Sequence, residues 1–239
     1  MPNMREFSTA IRIFRKQGVK GIFLQGAGDE GGGAELMALR GYLAAKLLWN
    51  PGMNEALLMR EFCSAYYGKG SPSALKYIKT FQDIVDSDKN LHVTLGEPPS
   101  SRVFAEANLA KADKALVPGL IATKGKEHTR LNLLQCSIDY ARLMRQTGGF
   151  SLRGNKYAGK AKQGERKLFA NFEKGLDAAG VKHLSEGGHK DFKLRLLANR
   201  LNSHKVVSLK SNGCEAVIVP SLGGRVLEYR AEGFNWLAE

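Results

Sequence analysis

The sequence predicts a mixed α/β chain, with one helix–strand–loop–helix unit, then a mostly helical region, then a few short strands. Val19–Leu24 is an apolar run rich in β-branched and aromatic residues that leads into a glycine-rich stretch, a pattern typical of a buried strand. From about residue 35 to residue 201, apolar residues recur at helical spacing. After His204, short apolar runs separated by turn signals favour strands.

The first unit, over residues 4–49, is predicted to consist of a helix, a strand, a glycine-rich loop and a second helix. A helix is predicted over Met4–Lys16 and ends at Gly18, because glycine readily adopts the left-handed conformation that stops helices. The predicted strand Val19–Leu24 follows, and then a loop of five glycines and two carboxylates. A second helix is predicted over Ala34–Trp49, since leucines at 36, 39, 43 and 47 fall on one face.

A buried parallel strand needs neighbours for its backbone donors and acceptors. The sequence holds no second strand of the Val19–Leu24 type. We therefore expect the chain to begin late in a larger α/β domain.

The central region is predicted to be helical in successive segments. Asn54 is placed to cap a helix over Glu55–Tyr67 that Gly68 ends. Pro72 suits the first turn of the next helix, which runs to about Val85. Further helices are predicted over Ser101–Val117, Lys126–Met144, Glu165–Ala179 and Asp191–Leu201.

The C-terminal part is predicted to form strands. They cover Lys205–Leu209, Glu215–Val219 and Arg225–Tyr229, with turns at Ser211–Gly213 and Pro220–Gly224. We expect them to open a β-domain.

Composition and charge exclude some classes of protein. With 239 residues, 43% of them hydrophobic, the chain can bury a core and is not of the disordered class. The net charge is +13, and seven basic residues against one acidic residue lie between Arg145 and Lys167. Because glycines interrupt that run, we interpret it as a solvated loop and predict no dedicated nucleic-acid partner. No apolar run is long enough to predict a membrane span.

Cysteine and histidine spacing predicts neither a disulfide framework nor a metal site. Cys63, Cys136 and Cys214 are distant and odd in number, and the first two fall in helical apolar patterns typical of buried thiols. His183, Glu186 and His189 lack the spacing of a helical zinc motif, since Gly187 and Gly188 interrupt any helix between them. Exposed polar residues are the favoured interpretation.

The stretch Gly26–Gly31 spells GxGxxG between a predicted strand and a predicted helix, which is the context of a dinucleotide-binding loop. Asp29 and Glu30 would place negative charge where a pyrophosphate binds, and the helix leads to Trp49–Pro51 rather than to a second strand. No cofactor is predicted. Trp49, Tyr66 and Tyr67 could stack on sugars, although aromatic residues at helix ends more often pack into a core.

The runs GVKGIFLQG and ELMALRGYLAAKLLWNPGMNEALLMREFCSAYYG resemble an uncharacterised family of large glycoside-hydrolase-like proteins. Their TIM-type barrel is akin to those of α-glucuronidases and β-hexosaminidases. The run KLFANFEKGLDAAGVKHLSE is similar to the same family. AVIVPSLGGRVLEYRAEGFNWL is similar to the opening strands of galactose-mutarotase-like β-sandwiches.

The resemblance implies a domain order. Residues 1–50 would be the last strand and helices of a (β/α)8 TIM-type barrel, 51–203 a helical region, and 204–239 the first strands of a truncated β-sandwich. The chain would then be a fragment of a carbohydrate-active protein whose upstream barrel repeats are missing. The alternative is a noncatalytic carbohydrate-binding or structural module.

The resemblance also implies substrate-binding residues. In a TIM barrel the carboxyl end of each strand faces the active site, which would place Gln25, Asp29, Glu30 and Glu35 at or near a carbohydrate pocket. Asp29 and Glu30 are adjacent, so they cannot flank a sugar as an acid and its partner. The catalytic acids are expected on earlier strands. An acidic loop that only connects strand and helix stays open as an alternative.

Overall fold

A computed structural model describes residues 4–24, 35–91, 93, 98, 100–146, 150–153, 156–159, 163–185, 188–232, 234–235 and 237. The helices are α1 (Met4–Lys16), α2 (Met37–Trp49), α3 (Glu55–Tyr67), α4 (Ser71–Asp86), α5 (Glu106–Ala122), α6 (Gly125–Gln146), α7 (Gln163–Ala178) and α8 (Lys190–Leu201). The strands are β1 (Phe150–Arg153), β2 (Lys156–Gly159), β3 (His183–Ser185), β4 (Gly188–His189), β5 (Ser203–Lys205), β6 (Val207–Ser211), β7 (Cys214–Val219), β8 (Arg225–Ala231) and β9 (Phe234–Asn235). No described helix is long and apolar enough to cross a membrane.

The first six helices share one hydrophobic core. Leu39, Leu43 and Leu47 of α2 are completely buried in it, as the helical spacing predicts. Helices α4 and α5 approach closely at Gly119, whose backbone N–H donates to Ser73 Oγ at 2.9 Å. A Cβ atom on Gly119 would lie 2.6 Å from the Ser73 Cβ, so only glycine allows this approach.

Polar contacts dock α1 against the connection between α2 and α3. The Arg12 guanidinium donates to the carbonyl oxygens of Pro51 and Met53 at 3.0 and 3.1 Å. The Asn54 side chain accepts from the backbone N–H of Leu57 at 3.1 Å, which confirms the predicted N-cap of α3. These contacts fix the entry to α3.

The predicted strand at Val19–Leu24 is wrong. The structure gives this segment no regular secondary structure, and its side chains are exposed apart from the half-buried Ile22. A strand forms only when its backbone groups pair with a neighbour, and no strand among the described residues lies beside this segment. Barrel geometry for residues 1–50 therefore stays a prediction.

A second, smaller core joins α6, α7 and α8. Leu143 from α6, Phe172 and Leu176 from α7, and Leu197 from α8 are buried together there. Cys136 and Cys63 are also buried, which confirms the predicted buried thiols. Burial raises the pKa of each of these two thiols to about 12, so both stay protonated at neutral pH.

Part of the predicted basic loop folds as a sheet instead. Strands β1 and β2 form an antiparallel hairpin, and β5 pairs with the outer edge of β2. The loop prediction failed because β5, which supplies the third strand, lies beyond two further helices in the sequence.

The three predicted C-terminal strands correspond in order to β6, β7 and β8, but Lys205 belongs to β5 of the other sheet and β9 was not predicted. Strands β6, β7, β8 and β9 form an antiparallel sheet in chain order. The turn between β6 and β7 carries Asn212 and Gly213 at φ 46° and 77°, a backbone conformation that this residue pair favours in hairpins. The structure is thus mostly helical with an antiparallel sheet at the C-terminus.

Candidate functional site around Glu35

Glu35 is the one predicted site residue that lies within the described part of the chain. It stands half-buried just before α2, and the buried hydroxyl of Tyr77 in α4 donates to Glu35 Oε1. Leu36 follows in the left-handed conformation with φ 54° and is 5% exposed. A sharp turn therefore places Glu35 against α4 while Leu36 enters the core.

Two buried tyrosines surround the Glu35 carboxylate. Burial raises the pKa of Tyr77 well above its ordinary value, and the Glu35 charge and hydrogen bond raise it further. Burial also raises the pKa of Tyr67, with smaller contributions from Cys63, Tyr66 and Glu35. Both phenols therefore stay protonated, and Tyr77 remains a fixed hydrogen-bond donor that orients the carboxylate.

An arginine and a ladder of aromatic rings border this cluster. The Arg130 guanidinium of α6 donates to the Tyr66 carbonyl at 2.9 Å and lies 4.1 Å from the centre of the Tyr66 ring. Tyr66 in turn stacks on Phe62, with ring centres 4.8 Å apart. The positive charge of Arg130 opposes the rise in the pKa of Tyr67. The ends of α3 and α6 are thereby held together beside Glu35.

The other predicted substrate-binding residues, Gln25, Asp29 and Glu30, lie outside the described residues, as does the GxGxxG stretch. Their position at or near a substrate pocket therefore stays a prediction. Glu35 lies four positions after Gly31 in the sequence, and its contact with Tyr77 ties this point of the chain to the helical core.

Sequence reasoning missed a polar network between α5 and α6. Arg142 Nη2 lies 2.7 Å from Glu106 Oε1 and 2.5 Å from Asp113 Oδ2. Gln135 Nε2 donates to Asp113 Oδ1 at 2.7 Å and to Asp139 Oδ1 at 3.0 Å. One signal could have revealed it, because residues 135, 139 and 142 are all polar and share one face of the predicted helix.

Asp139 is the least exposed acid of this network, at 7%. Burial raises its pKa to about 6, and the Asp113 charge adds to the rise. Gln135 and Arg142 act in the opposite direction by stabilising the charged form. The two aspartates thus differ in environment, but both are engaged in the contact between two helices.

The histidines considered as metal ligands lie on paired strands. His183 and His189 are register partners in the β3–β4 pair, and their ring centres are 5.2 Å apart. Glu186, the third residue considered, lies outside the described residues. Among the described residues, no group of three potential ligands is arranged to hold a metal ion.

Trp49 does not pack into the core. At the C-terminal end of α2 its side chain is 91% exposed, on the edge of a cleft of about 440 Å³ between α1, Val19–Ile22 and the end of α2. The charged residues lining this cleft are Arg15 and Lys20. Phe23, next to the cleft in sequence, is 89% exposed. The result is an exposed apolar surface with a basic edge.

Comparison with protein families shows a similarity over the first part of the chain. Residues 1–83 match the family model described as domain of unknown function (DUF4838). The matched span contains both partners of the contact between Glu35 and Tyr77. Comparisons with curated proteins and with solved structures gave no match.

Proposed function

We propose that this chain is part of a carbohydrate-active, glycoside-hydrolase-like protein and is inactive by itself. In this proposal Gln25, Asp29, Glu30 and Glu35 contribute to carbohydrate binding. The observation that carries the proposal is the anchoring of Glu35 by Tyr77 within the span that matches an uncharacterised family. That span includes the runs GVKGIFLQG and ELMALRGYLAAKLLWNPGMNEALLMREFCSAYYG, which resemble glycoside-hydrolase-like proteins, whereas the run KLFANFEKGLDAAGVKHLSE lies outside it.

Anchoring matters because a binding segment works only when its supporting contacts hold it in place. Tyr77 is buried, protonated and part of a packed helix, so it fixes the position where residues 25–34 rejoin the core. The polar side chains of that segment would then be presented from a rigid base rather than from a free chain.

The exposed apolar surface supports a larger α/β unit. Trp49 is 91% exposed at a cleft that Ile22 and Leu48 also line, and Phe23 is 89% exposed. Exposed apolar surface of this kind marks interaction sites. Further βα repeats would cover this surface and would give Val19–Leu24 the backbone partners of a strand. Such repeats are the partner that the resemblance implies.

The chemistry of glycoside hydrolysis places the catalytic acids elsewhere. The reaction needs two carboxylates on opposite sides of the scissile bond. Asp113 and Asp139 are close to each other but lie in the contact between α5 and α6, where Gln135 bridges them. We therefore assign the catalytic acids to polypeptide outside these 239 residues.

The test is hydrolysis of a panel of aryl glycosides and uronides. The 239-residue chain should show no turnover above an unrelated purified protein, whereas a longer protein that adds upstream βα repeats should be active. In that longer protein, Gln25→Ala should weaken substrate use by about 1–3 kcal/mol, the effect of a lost polar contact. Robust turnover by the 239-residue chain would contradict the proposal.

The exposure of Trp49 favours a second candidate, a noncatalytic carbohydrate-binding or structural module. An indole at the edge of a cleft offers a flat apolar surface for a sugar ring, with Arg15 and Lys20 beside it. Quenching of tryptophan fluorescence by oligosaccharides, lost in Trp49→Ala, together with no hydrolysis by the longer protein, would select this candidate.

A further inference from the structure

We propose that the outward face of the β1–β2–β5 sheet binds a linear acidic polysaccharide. This inference rests on the proposed function for the choice of a carbohydrate, and on the sheet itself for the charge. The starting observation is the strand register, which pairs Arg153 with Lys156 and Lys156 with Lys205. Three basic residues therefore form one continuous row across three strands, here called the cation row.

Lys156 and Lys205 of the cation row lie on the face of the sheet opposite the buried His204. Along β5, Ser203 and Lys205 are exposed while His204 between them is 8% exposed. Side chains alternate between the two faces of a strand, so Lys205 and its register partner Lys156 share the outward face. Lys156 is accordingly exposed.

The buried His204 holds the sheet in place. One ring nitrogen lies 2.8 Å from the Asn199 carbonyl oxygen in α8, and the other lies 2.9 Å from Ser221 Oγ in the 3-10 turn Pro220–Leu222. The strand β5, which carries Lys205, is therefore held through His204 by α8 and by the 3-10 turn Pro220–Leu222. The cation row stands on a fixed surface and not on a free loop.

Repulsion between the basic residues of the cation row destabilises the sheet unless an anion is bound. Neighbouring strands lie about 4.8 Å apart, and like charges directly opposite each other destabilise a sheet. Among the described residues, neither Lys156 nor Lys205 has an ion-pair partner. A ligand with several neighbouring negative charges would relieve this repulsion, and it would run across the strands, along the row.

The residues around the row favour a polysaccharide over a single-stranded nucleic acid. The next register row pairs Ser151 with Ala158 and Ala158 with Ser203, so the positions beside the cation row carry small residues. The aromatic Tyr157 is in register with the inward His204. Nonspecific single-strand binders add aromatic side chains on which bases stack, and the register positions of the cation row and of the row with Ser151, Ala158 and Ser203 hold no aromatic residue. Carboxylates on successive sugar rings need only the cations.

The test measures binding of a defined-length oligogalacturonate to the full 239-residue chain by calorimetry over a series of salt concentrations. The wild-type chain should bind it, with affinity that falls as salt rises. Lys156→Glu combined with Lys205→Glu should weaken binding by about tenfold or more, the effect expected from two lost charge contacts. The matched control is Lys111→Glu with Lys114→Glu on α5, which changes the net charge equally and should keep most of the affinity.

A single substitution separates recognition from folding. Lys156→Glu places a carboxylate between Arg153 and Lys205, so it should raise the melting temperature while it weakens oligogalacturonate binding. A residue whose role is only structural would not give these opposite effects. A fall in both quantities would overturn the proposal.

Three competitors complete the experiment: single-stranded DNA and polyglutamate of equal charge, and a neutral oligosaccharide of equal length. Each should bind more weakly than oligogalacturonate. Equal or tighter binding of the DNA or of polyglutamate would overturn the inference in favour of a nucleic acid or an acidic peptide. Preference for the neutral oligosaccharide would overturn the inference and leave the proposed function standing, whereas inactivity of the longer protein would leave the binding result unchanged.

Discussion

Tyr77 donates its hydroxyl to the carboxylate of Glu35, a residue 42 positions earlier in the chain. The tyrosine is 1% exposed, so the bond is shielded from water on the phenol side. Hydrogen bonds to charged groups contribute more to stability than neutral ones, and a buried partner left without its bond costs free energy. This contact should therefore contribute measurably to the stability of the helical core.

Tyr77→Phe should lower the free energy of unfolding by about 1–3 kcal/mol, measured by urea denaturation, because the Glu35 carboxylate loses its buried donor. The same substitution in a Glu35→Ala background should cost less, giving a coupling energy of about 1 kcal/mol or more. Tyr140→Phe on α6, where the ring is 39% exposed, is the matched control and should change stability by less than about 0.5 kcal/mol. Additive effects of the two substitutions would contradict the assigned bond.

Gly119→Ala should destabilise the chain by about 1–3 kcal/mol, because the added Cβ would lie 2.6 Å from the Ser73 Cβ and 2.7 Å from Leu131 Cδ2. The control is Gly41→Ala in the interior of α2, where the new Cβ meets nothing within 4 Å. That change should stabilise by about 0.5–1 kcal/mol, the difference in helix propensity. Thermal unfolding followed by circular dichroism gives the stability change of each variant. Stability changes of the same sign for Gly119→Ala and Gly41→Ala would refute the close approach of α4 and α5.

Asp139 should make the chain more stable as the pH falls from about 7 to 4. Its pKa is raised to about 6 in the folded state from an ordinary 3.8, so the folded state binds the proton more tightly than the unfolded state. The contribution is fully present below the unfolded pKa and is lost as the pH rises through the folded pKa. The difference of about two pKa units corresponds to roughly 3 kcal/mol.

Asp139→Asn should remove this dependence, since the amide is neutral at every pH and its oxygen can still accept from Gln135. The measurement compares urea unfolding of the two proteins between pH 4 and pH 7. The variant should be the more stable protein near pH 7, and the two curves should converge near pH 4. Parallel curves would show that Asp139 does not carry the effect.

The exposed surface at Trp49 and Phe23 should make the isolated chain associate with itself. The backbone of residues 20–24 pairs with no strand among the described residues, and together with the highly exposed Phe23 and Trp49 side chains it favours contact between copies. Sedimentation velocity should show oligomers that Trp49→Glu combined with Phe23→Ser reduces. Ile121→Ser, at an equally open site where the side chain is 79% exposed, should leave the association unchanged. A wild-type chain that sediments as a single monomer would contradict this expectation.

Local patterns predicted the helices well where caps and apolar faces agree. The bounds of α1 and α3 match the structure because Gly18, Asn54 and Gly68 mark their ends by short-range chemistry. Helix α5 runs past its predicted end at Val117 and through Pro118 to Ala122. Its last turns are stabilised by burial against α4 and by the Ser73 Oγ bond to the Gly119 N–H, neither of which a local pattern contains.

Long-range pairing explains what the sequence could not predict. Val19–Leu24 has strand-like residues but pairs with no strand among the described residues, so its local preference for extended structure did not produce a strand. Strands β1 and β2 have weak local signals and form a sheet because β5 reaches them. At the candidate site, the position of Glu35 after the glycine-rich stretch indicated the residue, whereas Tyr77 could be found only from the packing of α4.

The placement of β5 has a consequence for how such proteins could be rearranged by recombination. Residues Ser203–Lys205 follow α8 directly, yet they complete the sheet begun by the hairpin of β1 and β2. A crossover at residue 203 would detach that strand from its hairpin and would leave the β2 edge open. A crossover at Val206, between β5 and β6, would transfer strands β6 to β9 together and keep their sheet whole.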